Sequence, residues 1–391
     1  MQIFREEGDE MKEKMLIIVT LFFVISLTAL GWTYRVYEMV LNEALESLPN
    51  EISEFLRDED MWKKLVKAMK WNDDLGKPEH LQKPIHYFKS EVYNLDEGNI
   101  PLSFSKAKRK MRGDRNRAIA NGMLPWVVMR YSKACIDLYS TNPSSFPTAV
   151  GLMVHFITDL NSPFHLTRNL NGELTNQKGI HERWEKMMAE RLEFLNMGTV
   201  KPKQIDDLAY YIFENILKSR EYLDRILDED VSAKEQALGY TDEYYDIMFE
   251  KTKDIAEKLL QNSIQMVADV LYTAYMKKQS GKLPELNITI IKLYHWGDDR
   301  YVILQNRGKK GINLRGWKLK AYDYDRGCLL NYFEFLNLIL SPREKVSIHS
   351  GPRTRTTRAS DQFWTLKRVW GEHSEAVLID RKGTYMDIYV Y

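Results

Sequence analysis

Cysteine is nearly absent: the 391 residues contain two, Cys135 and Cys328, far apart and neither in a CxxC pair. That excludes a disulfide framework and a thiolate-built metal site, so any metal must be held by histidines and carboxylates. An excess of charge of one sign is also lacking. The 56 basic and 55 acidic side chains leave a formal net charge of +1, so no global field points to nucleic acid or an acidic partner. There is no internal repeat and no low-complexity tract. What is present is ordinary globular composition, 44% hydrophobic and 28% charged, long enough for two domains.

The amino end departs from that average. After the charged leader MQIFREEGDEMKEK, residues 15–34 carry no charge at all. The run contains the small-x-small pattern Ala29-Leu30-Gly31, which reads as an export signal cleaved after Gly31, leaving Trp32 as the mature terminus. An uncleaved membrane anchor is the alternative, since the apolar run is long enough to span. Either way the expected location is secreted or extracellular, with anchoring by residues 15–34 in the second case.

From Trp32 to about Lys278 apolar residues recur at three- and four-residue steps, as in VYEMVLNEALESL and IDDLAYYIFENILKSREYLDRIL, with Pro84, Pro101, Pro143, Pro147, Pro163 and Pro202 as breakers. The expected fold is a mainly α-helical domain over 32–278 and a linker over 279–285. Short β-rich runs separated by Gly, Asn and Asp follow over 286–391, as in an all-β sandwich.

The helical part holds the chemistry. GLMVHFITDLNSPFHL, residues 151–166, places His155, Asp159 and His165 in an otherwise mostly apolar stretch, and GIHERWEKM adds His181 and Glu185. Positions i and i+4 share a helix face, so His155 with Asp159, and His181 with Glu185, can each point at one ion. Pro163 ends the first helical run, so His165 can turn towards a second ion. A lone histidine on an apolar helix is most often a core residue hydrogen-bonded to backbone. Burying three histidines and two carboxylates without a cation is far costlier. Five ligands exceed what one tetrahedral ion needs, which argues for two metals.

These residues carry a resemblance. HFITDLNSPFHL is similar to the signature of the zinc-dependent phospholipase C and S1/P1 nuclease superfamily, approximately H-[FY]-x-G-D-x-H-Q-P-L-H, and GIHERWE resembles its N-L-H-x-x-W-[DE]. Upstream, Trp71-Asn72-Asp73 and His86-Tyr87 resemble the W-x-D and H-[YF] elements. The resemblance implies one zinc on Asp73, His86, His155 and Asp159, with Asp74 as an alternative to Asp73. A second zinc would take His165, His181 and Glu185. A third would use the Trp32 terminus, Asp159 as a bridge, and a histidine five residues after the tryptophan. Tyr37 stands there, and the sequence offers only Glu38 or Glu43 as substitutes.

Such ions turn water into hydroxide near neutral pH for in-line attack on phosphorus. Asp73 and Asp159 are the expected catalytic carboxylates, with Asp73 placed to help take the proton. Phosphodiester hydrolysis follows. Glu185, where the nuclease branch usually has Asp, favours a lipid headgroup over nucleic acid. SKAKRKMRGDRNR, residues 105–117, carries seven basic residues against one acid and suits either polyanion, or a membrane surface. A nuclease of the same fold and a zinc-stabilised, catalytically weak binding protein are the alternatives.

In the carboxy-terminal part, Tyr301-Val302-Ile303-Leu304-Gln305-Asn306, Leu314-Arg315-Gly316-Trp317 and the closing Trp370-Gly371-Glu372-His373 resemble the lamin-tail domain, the last with a departure from its N-x-G-D. That implies an immunoglobulin-like sandwich acting as a passive tether. No candidate ligand lies in it, so deleting 281–391 is expected to leave hydrolysis of a small phosphodiester intact. His295, His349 and His373 read as strand or loop residues.

Overall fold

A computed structural model describes residues 32–71, 83–95, 99–281, 288–354 and 361–390. The leader, Gly31, Asp73 and Asp74 lie outside the described residues. Among those described, no helix is long and apolar enough to cross a membrane.

The amino-terminal part is helical. In chain order come α1 (Tyr34–Glu46), α2 (Asn50–Arg57), α3 (Glu59–Lys70), α4 (Phe104–Lys110), α5 (Arg115–Ala120) and α6 (Leu124–Thr141). Then follow α7 (Phe146–Leu160), α8 (Ile180–Glu190), α9 (Leu208–Arg220), α10 (Leu223–Gln236) and α11 (Asp242–Gln279). Side-chain caps start several of them: Asp58 accepts from the Asp60 and Met61 amides, and Thr241 from that of Tyr244. Pro125 and Pro147 sit in the first turns of α6 and α7, where a missing N–H costs nothing. The run from Ile205 to Leu227, expected as one helical stretch, is two helices broken at Glu221–Tyr222.

α7 is buried on nearly every side because it is the central helix, packed between α3 and α6. Gly151 permits the first of these contacts: a Cβ there would lie 2.3 Å from the Leu65 carbonyl oxygen and 2.8 Å from the Ala68 side chain. The first of those atoms is helix backbone and cannot step aside. Gly151→Ala is therefore expected to destabilise by about 1–3 kcal/mol through overpacking, despite alanine's better helix propensity. Urea denaturation reads this directly, and unchanged stability would mean that α3 and α7 are not so closely held.

The second part is a β-sandwich. Its strands are β1 (Ile288–Tyr294), β2 (Arg300–Asn306), β3 (Ile312–Asn313), β4 (Lys318–Asp323) and β5 (Cys328–Glu334). They continue with β6 (Ile339–Leu340), β7 (Lys345–Ser350), β8 (Gln362–Thr365), β9 (Ser374–Ile379) and β10 (Tyr385–Val390). One sheet runs β1-β2-β7-β8, the other β10-β9-β4-β5, with a small β3-β6 ribbon. Val302, Leu304, Val346 and Ile348 meet Leu319, Ala376, Leu378 and Trp370 between the sheets. This is the all-β sandwich that the strand pattern predicts.

The two parts share a core. Val377, Ile379, Ile388 and Tyr324 of the sandwich belong to the same apolar cluster as the helical domain. All six residues of β9 are buried, because its alternate side chains face the sandwich interior and the helices. Across the junction, the Arg130 guanidinium pairs with Glu375 at 3.0 Å and donates to the Gly327 carbonyl at 3.0 Å. Tyr131 donates to Glu375 at 3.1 Å, Thr141 to the Tyr385 carbonyl at 2.7 Å, and Ser145 to Asp387 at 2.6 Å. The expectation of a passive tether gives way here: the second sheet is one wall of the helical core.

Candidate metal centre

Two groups of ligand-type side chains lie side by side in the helical domain: His86 with His155 and Asp159, and His165 with His181 and Glu185, all buried. Within each group one ligand atom per residue falls within 4.8 Å of the others. His155 and Asp159 are successive turns of α7. His86 ends the 3-10 turn Pro84–His86, and His165 lies in the 3-10 turn Pro163–Leu166, which Pro163 starts just past the end of α7. His181 and Glu185 are successive turns of α8. The i, i+4 pairs thus face inward, and the proline-bent connection brings His165 to the second of them.

Local hydrogen bonds orient the rings. His155 Nδ1 lies 3.2 Å from the Met69 carbonyl oxygen and His165 Nδ1 lies within hydrogen-bond reach of the His86 carbonyl. Only an N–H can meet a carbonyl, so both rings carry the proton on Nδ1 and turn an Nε2 lone pair into the site. His155 Nε2 is 3.5 Å from Asp159 Oδ2, and His86 Nδ1 is 2.8 Å from the same oxygen. In the second group His181 Nε2 is 3.0 Å and His165 Nε2 3.9 Å from Glu185 Oε1. Ser162 Oγ donates to that oxygen. The His181 ring stacks on Phe164 at 5.2 Å and crosses His165 at 87°.

The electrostatics favour ligands in their binding forms. Burial opposes ionisation of Asp159, but the neighbouring His155 and His165 imidazoles and the hydrogen bond from His86 hold its carboxyl well below the usual carboxylate range. Burial pushes the His165 imidazole down, towards the neutral form that ligates. Buried without a hydrogen-bond partner are His165 Nε2, both ring nitrogens of His181, and Glu185 Oε2. One ligand atom from each of the three residues lies within 4.8 Å of the others, so a single cation could satisfy one atom of each.

Of the remaining sequence-predicted residues, Asp73 and Asp74 lie outside the described residues, and the structure places the others. Trp32 is buried, its ring edge-on to Trp184 of α8 at 5.7 Å, so the segment next to the expected cleavage point is seated beside the second group. Tyr37 is buried against the His155 ring at 4.6 Å. Of its expected substitutes, Glu43 is exposed and Glu38 accepts a hydrogen bond from Tyr34 at 3.0 Å. Neither joins a ligand group. Ser162 and the orienting carbonyls of Met69 and His86 escape sequence reasoning; the polar Asn161-Ser162 before Pro163 is the one signal available. The β-domain histidines lie elsewhere, His349 bonded to Asp299 at 2.8 Å and His373 to Asp325 at 2.7 Å.

Residues 283–391 match the family model for the Lamin Tail Domain. The β-sandwich is similar to a lamin tail. Two solved structures are similar to the chain as a whole. One is the alpha toxin from Clostridium absonum, 11% identical with a TM-score of 0.39, over 90% of this chain and 89% of that one. The other is the Clostridium perfringens alpha-toxin isolated from avian strain SWCP, 10% identical with a TM-score of 0.39, over 89% of each chain. No curated protein matches the chain. At such identities and TM-scores, function rests on the site residues ahead of the lamin-tail-like domain.

Proposed function

We propose that the chain is an exported zinc-dependent phosphodiester hydrolase of the phospholipase C type. The observation that carries this reading is the pair of adjacent buried His/carboxylate groups, the second of which also holds buried atoms of His165, His181 and Glu185 that lack a hydrogen-bond partner. Two imidazoles and a carboxylate in each group are the donor set zinc prefers, and neither group contains a thiolate. His86, His155 and Asp159 would hold one ion, with Asp73 from the resemblance, and His165, His181 and Glu185 the other. Zinc in such a site supplies Lewis acidity, activating water at neutral pH and neutralising charge on phosphoryl oxygens.

The chain's own groups do the rest. Asp159 takes a hydrogen bond from His86 and stays ionised between imidazoles. Ser162 fixes the Glu185 carboxylate, and the Phe164 and Phe156 rings beside His181 and His155 help to keep bulk water from the ligands. Asp73 is the candidate proton acceptor. Tyr37 puts a phenol ring where a third ion would need an imidazole, so two ions are the reading. The substrate favoured is a phospholipid headgroup diester, on the strength of Glu185; the basic segment 105–117 suits a membrane surface as well as nucleic acid.

Purified protein is expected to hydrolyse a chromogenic phosphodiester and phosphatidylcholine faster than single-stranded DNA. Asp159→Ala should lower turnover by more than about a hundredfold, beyond the usual effect of losing a group behind the ligands. Preferential hydrolysis of DNA would make the nuclease reading correct. Equal activity of wild type and Asp159→Ala would end both.

A further inference from the structure

The outer face of the β10-β9-β4-β5 sheet is covered by helices at one end and left open at the other. At the open end, the side chains of Lys318, Lys320, Tyr332, Arg381 and Lys382 line a cleft of about 410 Å³. That size suits a small molecule. Its charge is one-sided. Lys318 has a partner, Glu334 at 3.6 Å. Asp380, the one acid in the lining, accepts from the Lys382 and Thr384 amides at 2.8 and 2.9 Å, both on Oδ1, which ties its carboxylate to the turn and leaves one negative charge against four basic groups.

Lys320, Arg381 and Lys382 make no ion pair among the described residues. Lys320 is the informative one. It sits half-buried on β4, opposite Tyr332 of β5. Burial, with Lys318 and Arg130 nearby, lowers its ammonium pKa. An ammonium held there without a counter-ion costs free energy that an incoming anion would recover. Arg115 of α5 donates to the carbonyl of Leu329 at the rim, so the basic segment 105–117 reaches the same opening.

We propose that this cleft is a binding site for a phosphate-bearing anion, held by Lys320, Arg381 and Lys382. A phosphate group carries up to two charges and three acceptor oxygens, enough for two ammonium groups and a guanidinium fork, where a carboxylate would leave donors unmet. The site lies in the lamin-tail-like domain, shares no residue with the metal centre, and does not depend on the hydrolase reading.

The test is affinity labelling of the full chain with pyridoxal phosphate. The Lys320 amine attacks the aldehyde carbon, water leaves, and borohydride delivers hydride to the imine carbon, fixing a secondary amine that peptide mass spectrometry locates. Pyridoxal, which lacks the phosphate, controls for intrinsic amine reactivity, and the exposed Lys309 and Lys345 serve as internal references. Lys320 is expected to prefer pyridoxal phosphate over pyridoxal by about tenfold more than the references do, the factor one charge-assisted hydrogen bond supplies. Arg381→Gln with Lys382→Gln should abolish that preference. Protection by inorganic phosphate alone identifies small free phosphates as the occupant, and protection also by phosphatidic acid vesicles, but not by phosphatidylcholine vesicles, identifies a headgroup. Equal labelling by the two aldehydes, or no protection by either competitor, overturns the proposal.

Discussion

Protein expressed with zinc supplementation should contain two zinc ions per chain, and His181→Ala should contain one. The two ligand groups share no side chain, so losing His181 leaves His86, His155 and Asp159 intact. What remains of the second group, His165 and Glu185, is too few donors for a closed site. The loss should also lower stability, because ions that bind only the folded chain stabilise it by mass action, about 4 kcal/mol at a thousandfold excess over Kd. Elemental analysis and thermal melting with and without chelator measure both effects. Fewer than one zinc in wild type, or an unchanged content in the variant, would show that these side chains are polar core and nothing more.

The second large effect belongs to the junction between domains. Arg130 and Glu375 are both buried, and removing one leaves the other charged and unpaired in an apolar setting, a loss of about 3–5 kcal/mol. Glu375→Ala should show that loss in urea unfolding, while Arg130→Met with Glu375→Leu should recover much of it, since a well-packed apolar pair replaces a buried ion pair at little cost. Deleting 281–391 removes Glu375 and uncovers Tyr131 and the outer apolar wall as well. The truncated helical domain is therefore expected to be insoluble or unfolded, contrary to what the sequence suggests. A Glu375→Ala protein that unfolds at the wild-type urea midpoint would restore the picture of a detachable tether.

The difference between what could and could not be read from the chain follows sequence separation. His181 and Glu185 need only a helix to meet, and the helix is written in the spacing of Ile180, Trp184, Met187 and Met188. The alternating and punctuated strands after residue 286 likewise declare a sandwich. β9 breaks that alternation with Ala376-Val377-Leu378-Ile379, a run that in hindsight marks a strand covered on both faces. Arg130 within LPWVVMRYSKACIDL gives no hint of its partner, because Tyr131 and Glu375 meet across 244 positions and no local periodicity encodes such a contact. The carbonyls that aim His155 and His165 are invisible for another reason: backbone atoms leave no trace in residue identity.

The two ligand groups also differ in the length of chain each must close. His86 reaches Asp159 across 73 positions, whereas Ser162 and Glu185, the span that frames the second group, are 23 apart. With loop entropy growing as the logarithm of length, the longer closure costs about 1 kcal/mol more. The α7–turn–α8 segment is thus the cheaper pocket for an unfolded chain to assemble. An ion caught there would shorten the remaining search by tying residues 165–185 together before the Pro84–His86 turn completes the other pocket. Folding and metal capture would then be parts of one sequence of loop closures, running from the short to the long.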